Sequence, residues 1–214
     1  MALFSELLHI QPGITAVIGS GGKTALLSRL AAELSSCARV VLATSTRIYP
    51  PAHLPFFEQI SQLTAPQAVC VGTRALRGKL AAPQQSFAEL ASIADYVLVE
   101  ADGSANLPLK AHAAHEPVIP AQSNQVIAVV GASGFGKTIG EAAHRAQRYA
   151  FLAGASLDTI VTPQLAARVL DAEALHTRVL INQAELYPQE SQTLAQMLRC
   201  AAVSLRKGEI LCSY

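Results

Sequence analysis

Short apolar runs alternate with longer amphipathic stretches along most of the chain. Runs rich in Val, Ile and Leu predict strands at residues 14–18, 39–43, 68–71, 96–99, 125–130, 159–161 and 178–181. Between several of them, apolar positions recur at helical spacing in residues 24–36, 84–94, 140–153 and 163–171. This rhythm predicts an α/β fold, doubly wound around a mostly parallel sheet, with right-handed crossovers placing helices on both faces.

Pro50, Pro51 and Pro55 interrupt the chain after the second strand, and residues 107–121 combine Pro108, Pro117 and Pro120 with His112 and His115 without periodicity. Both stretches read as loops over the C-terminal edge of the sheet. No internal repeat or linker divides the chain, so residues 1–214 are expected to form one domain, with 190–214 a small helix-and-strand appendage.

Composition supports that picture. Half the residues (51%) are hydrophobic but only 5% aromatic, as suits buried parallel strands built from aliphatic side chains. A net charge of +1 with scattered basic residues argues against nucleic acid as partner. No apolar run approaches the roughly 20 residues that span a bilayer, and the N-terminus lacks a signal-peptide pattern, so a cytoplasmic protein without a membrane partner is expected. Cys37, Cys70, Cys200 and Cys212 lie far apart and read as reduced thiols.

The chemistry begins at Gly19-Ser20-Gly21-Gly22-Lys23-Thr24, between the first strand and a helical stretch. Glycines supply the positive φ angles of a tight turn, and backbone N–H groups at the helix start point at phosphates. Lys23 neutralises those phosphates and the Thr24 hydroxyl ligates Mg²⁺. The segment is a shortened phosphate loop, of a form also seen in amide ligases of the Mur type, so the fold is expected to be P-loop NTPase-like.

A second segment, residues 131–138, fits the full pattern G-x-x-x-x-G-K-[ST] literally and also follows a strand. The first is preferred because a phosphate site needs an acidic metal partner from a later strand, and residues 96–99 lead into Glu100-Ala101-Asp102-Gly103. The catalytic set is therefore Lys23, Glu100 and Asp102. Thr24, Glu100 and Asp102 are the metal set, one acid holding Mg²⁺ and the other orienting water or sensing the terminal phosphate.

Further candidates flank this set. Thr44 and Thr46, with Ser45 and Arg47, follow the second strand as metal ligands, substrate contacts or simple caps. His112 and His115 beside Glu116 would converge on a metal only in a helix, which the prolines oppose. His144 and Arg145 lie inside the expected helix 140–153, facing an anionic ligand or solvent. Asn182-Gln183-Ala184-Glu185 resembles the Asn-Lys-x-Asp segment that reads guanine, with lysine and aspartate replaced. Asn182 and Glu185 therefore join the nucleotide set, and ATP or GTP stays open.

Taken together, Gly-Ser-Gly-Gly-Lys-Thr, Thr-Ser-Thr-Arg, Glu-Ala-Asp-Gly-Ser, Leu-Pro-Leu-Lys110, His115-Glu116-Pro-Val-Ile-Pro, His144-Arg145 and Ile-Asn182-Gln resemble the YqeC family, in order from about residue 10 to 186. That family is described as accessory proteins of selenium-dependent hydroxylases. The resemblance implies a nucleotide-dependent role in preparing a molybdenum hydroxylase or its cofactor, and implies Lys110, His115, Glu116, His144 and Arg145 as a substrate or partner site. In residues 131–138 the family shows Gly-Lys-Pro, which makes Thr138 incidental to the match. The rival expectations are a Mur-like ligase or small-molecule kinase, and a module that binds nucleotide or a pterin dinucleotide without hydrolysis.

Overall fold

A computed structural model describes residues 3–51 and 53–214. Nine strands form one sheet: β1 (Gly13–Gly19), β2 (Arg39–Thr44), β3 (Phe56–Phe57), β4 (Gln67–Val71), β5 (Tyr96–Glu100), β6 (Ser123–Gly131), β7 (Arg178–Asn182), β8 (Ala201–Ser204) and β9 (Glu209–Ser213). Their spatial order is β9-β8-β7-β6-β1-β5-β2-β4-β3. Every pairing is parallel except the closing β8–β9 hairpin. Connections leave β1 toward both edges, as the alternating pattern predicts.

Helix α1 (Lys23–Leu34) buries Leu26, Leu27, Leu30 and Ala31 against Val17, Leu42, Leu98 and Val129 on one face. On the other face, α2 (Phe87–Ile93) covers Val41, Val69, Val97 and Val99. There α3 (Ala146–Ala153), α4 (Pro163–Glu173) and α5 (Pro188–Leu198) cover Ile18, Ala128, Val130 and Ile181. The inner strands are buried on both sides, which is why their sequences are nearly uninterrupted apolar runs. No helix among the described residues is long and apolar enough to cross a membrane.

Three local expectations fail. Residues 159–161 form no strand of the sheet: Val161 N–H donates to Lys137 O and Ile139 N–H to Thr159 O, so this stretch pairs with the loop at 136–139. Thr162 and Pro163 then start α4 at once. The expected helix 140–153 breaks into Ile139–Ala142 and α3, because Ala143–His144 is extended to pair with Leu109–Lys110. Arg145 follows at φ 60°, so His144 and Arg145 are not helical neighbours. Leu109–Lys110 is itself a short strand inside the expected loop 107–121. The helix and strand expected in residues 190–214 are the greater part of α5 with β8 and β9, and both strands join the main sheet.

Candidate functional site

β1, β2, β5, β6 and β7 all point their C-terminal ends to one edge, where open α/β sheets bind ligands. Gly19, Gly21 and Gly22 turn the chain off β1 at φ 88°, 85° and 135°, angles that a side chain would strain. The turn is also crowded: a Cβ on Gly21 would come within 2.3 Å of Gly131 Cα, and one on Gly22 within 2.3 Å of Asn182 Nδ2. Asn182 donates Nδ2–H to Gly21 O (2.8 Å) and accepts Leu205 N–H at Oδ1 (3.0 Å), pinning the loop to the β7–β8 side of the sheet. The Ser20 hydroxyl donates to Leu107 O, and Ser20 N–H to Val129 O (2.8 Å).

The two acids after β5 take different places. Thr24 donates its hydroxyl to Glu100 Oε2 (2.8 Å), and both line an open cleft of about 520 Å³ beside the loop. Asp102 is fully buried. It accepts Gly19 N–H (2.8 Å) and pairs with Lys23 Nζ (3.0 Å), Lys110 Nζ (3.5 Å) and His112 Nε2 (2.6 Å). Asp102 therefore holds Lys23 from behind, while Lys23 also donates to Gly19 O (2.8 Å) and lies 4.0 Å from Glu100.

The charges continue outward in alternating sign. Lys110 pairs with Glu116 (3.0 Å), which accepts both Arg145 Nε and Nη2 at 3.0 Å. His112 reaches Glu173, at the end of α4, through Nδ1 (2.8 Å) and its backbone N–H (2.6 Å). Burial pushes the Asp102 carboxyl up, but His112 and the two lysines outweigh it and hold it below the usual carboxylate range. Burial likewise lowers His112, yet its two carboxylate partners raise it above the ordinary histidine value, as an imidazolium donating at both nitrogens. Burial raises Glu116 too, but Arg145 and Lys110 bring it down to about 2. Glu100 goes the other way, raised chiefly by burial.

Other sequence candidates fall into place around this ladder. Thr44 is buried and donates its hydroxyl to Glu100 O (2.9 Å), so it fixes the end of β5, with Thr46 N–H returning to Thr44 Oγ1 (3.0 Å). His144 is carried by the short strand beside Lys110, and its carbonyl accepts Ala111 N–H (3.2 Å). His115 is exposed, apart from His112, and no group of three or more His, Cys, Asp or Glu among the described residues could hold a metal. Glu185 lines a second cleft, of about 690 Å³, with one carboxylate oxygen buried and without a hydrogen-bond partner. The sequence reading missed Glu173, and it weighed His112 only as a metal ligand. Neither residue carries a local signal, because 61 positions separate them.

The second Gly-Lys-Thr segment makes no cradle. Residues Ala132–Gly134 form a 3₁₀ turn, Phe135 enters the core, Lys137 is exposed, and Thr138 caps a one-turn helix with Glu141.

Fold and site thus define an α/β protein with a large, mostly parallel central sheet and a glycine-rich loop braced by buried charges. The family described as "YqeC protein" matches residues 15–147. The Escherichia coli (strain K12) protein named "Uncharacterized protein YqeC" is 35% identical over 183 residues, covering 77% of this chain and 68% of that one. The chain belongs to the YqeC family. No solved structure matches it.

Proposed function

We propose that the chain binds a magnesium nucleoside triphosphate on the loop Gly19 to Thr24 and hydrolyses it in the service of maturing a molybdenum hydroxylase. The observation that carries this reading is the Thr24–Glu100 pair, 2.8 Å apart at the wall of an open cleft, with Lys23 beside it. Magnesium takes few protein ligands and completes its shell with water and phosphate oxygens. A hydroxyl and a carboxylate facing open space fit that need, so Thr24 and Glu100 would hold the ion, which when bound neutralises phosphate charge.

Asp102 has no vacant side toward the cleft, and its part is to position Lys23 and the Gly19 N–H. The nucleoside would extend over Gly22 and Ala25 into the cleft lined by Asn182, Glu185 and Leu205. There the Glu185 carboxylate would accept an N–H from the base, as the guanine ring offers. The hydroxylase link extends what the resemblance of the sequence motifs implies. Calorimetric titration with GTP and ATP analogues in Mg²⁺ tests the reading. Binding by wild type that is lost in Lys23→Ala upholds it, and no binding of either analogue sinks it. Phosphate release with and without a hydroxylase partner then measures turnover.

A further inference from the structure

We infer that the cleft between Glu100 and the strand pair bearing Arg47 and Lys79 binds a small anionic second ligand, carrying a phosphate or carboxylate, next to the nucleotide. The inference deepens the nucleotide reading above and rests on it.

Two clefts diverge from the phosphate loop, and Gly22, Ala25 and Gln183 line both. A nucleoside triphosphate has a single nucleoside and needs only one of them. The cleft of about 690 Å³ is lined by Asn182 and Glu185, with apolar walls from Leu186 and Leu205, which suit a base. The cleft of about 520 Å³ lies on the other side, where Thr24 and Glu100 face the end of a triphosphate chain. Its volume falls in the range of small-molecule sites.

The far wall of that second cleft is a three-stranded sheet separate from the main one. Arg47–Ile48 pairs antiparallel with Leu80–Ala81, which pairs with Thr73–Arg74. This pairing brings Arg47, Tyr49 and Lys79 to the cleft, with Lys79 Nζ 5.1 Å from the centre of the Tyr49 ring. A cation held over an aromatic face has a defined position without a carboxylate to neutralise it. Several cations of this protein are matched with acids: Arg39 with Asp95, Arg74 with Glu58, Arg145 with Glu116. Among the described residues, neither Arg47 nor Lys79 has a carboxylate within ion-pair distance, and Glu100, the one acid on this lining, is engaged by Thr24. With Lys23 already matched by Asp102, Arg47 and Lys79 leave this wall of the cleft with positive charge that a bound oxyanion would match.

The test uses the full chain saturated with Mg²⁺ and a non-hydrolysable triphosphate analogue, which fills the terminal-phosphate position. This complex is titrated calorimetrically with inorganic phosphate and, in a separate arm, with succinate. Saturable binding of at least one anion is expected, and the arm that binds tells phosphate from carboxylate. Arg47→Ala/Lys79→Ala should weaken that anion about tenfold or more with nucleotide affinity unchanged, which also reports an intact fold. Lys137→Ala/Arg178→Ala removes the same charge from exposed positions elsewhere and should alter neither. Three results would overturn the inference while the nucleotide reading stands: no anion binding to the loaded protein, undiminished binding in Arg47→Ala/Lys79→Ala, or an equal loss in the control. Failure of wild type to bind nucleotide is a separate outcome that removes both.

Discussion

Two segments of this chain spell Gly-Lys-Thr after a parallel strand, and only one of them combines an open cleft with a lysine braced by buried charge. In the first, Lys23 is buried, fixed by Asp102 and Gly19 O, and flanked by a hydroxyl–carboxylate pair. In the second, Lys137 is exposed, Thr138 is spent as an N-cap, and Phe135 sits in the core where a cradle would have to be. The glycines of the second also have another cause. Gly131 meets Gly21 at 2.9 Å from its would-be Cβ, and a Cβ on Gly134 would lie 2.7 Å from Leu109. Close packing, against the first loop at Gly131 and against Leu109 at Gly134, accounts for these glycines, so a motif is to be read only together with what stands behind it.

The largest expected effect probes that support. Asp102→Asn leaves Lys23, Lys110 and His112 in the interior without their shared counter-charge and should cost about 3–5 kcal/mol in chemical denaturation. The matching change at the second segment, Glu141→Gln at an exposed capping box, should shift the denaturation midpoint far less.

Next comes binding. Lys23→Ala should weaken a triphosphate analogue about a hundredfold, whereas Lys137→Ala should stay within about twofold by calorimetry. The reverse ranking would exchange the roles of the two segments. Thr24→Ala and Thr138→Ala sharpen the contrast at smaller scale. The first should remove the Mg²⁺ dependence of binding, and the second should cost about 1 kcal/mol of stability with binding untouched.

The smallest effect is one of sign with pH. His112 is raised in the folded protein, so its contribution is complete below the ordinary histidine value of 6.5 and fades as pH rises through the folded value. Glu141 is lowered by its bonds to Thr138, so its contribution is present above 4.5 and is lost on acidification. Urea midpoints between pH 4 and 9 should show the alkaline decline vanish in His112→Gln and persist in Glu141→Gln.

Much of this was legible in the sequence because it is local. Buried parallel strands need apolar runs, and the loop glycines, Lys23, Thr24, Glu100 and Asp102 sit at strand ends where the βαβ rhythm places them. What escaped was set by partners distant along the chain. Ala143–His144 is extended because Leu109–Lys110 lies alongside, against a helical pattern that continues on both sides. Glu173 looks like an ordinary acid at the end of an amphipathic helix until His112 is folded onto it. The division of labour between Glu100 and Asp102 was likewise invisible, since two acids only two positions apart meet different partners, Thr24 at the cleft for one and Lys23, Lys110 and His112 for the other.

The clasp that Asn182 makes between Gly21 and Leu205 bears on how the chain can be shortened. A fragment trimmed to residues 15–147, the part that the family model matches, would keep every side chain of the glycine-rich loop and both acids. It would lack β7 and β8, leave β6 as a raw sheet edge, and strip α3–α5 from the core beneath Ile18 and Val130. The set of residues that shapes the loop is thus longer than the signature that marks it, because Asn182 and its contact at Leu205 lie beyond it.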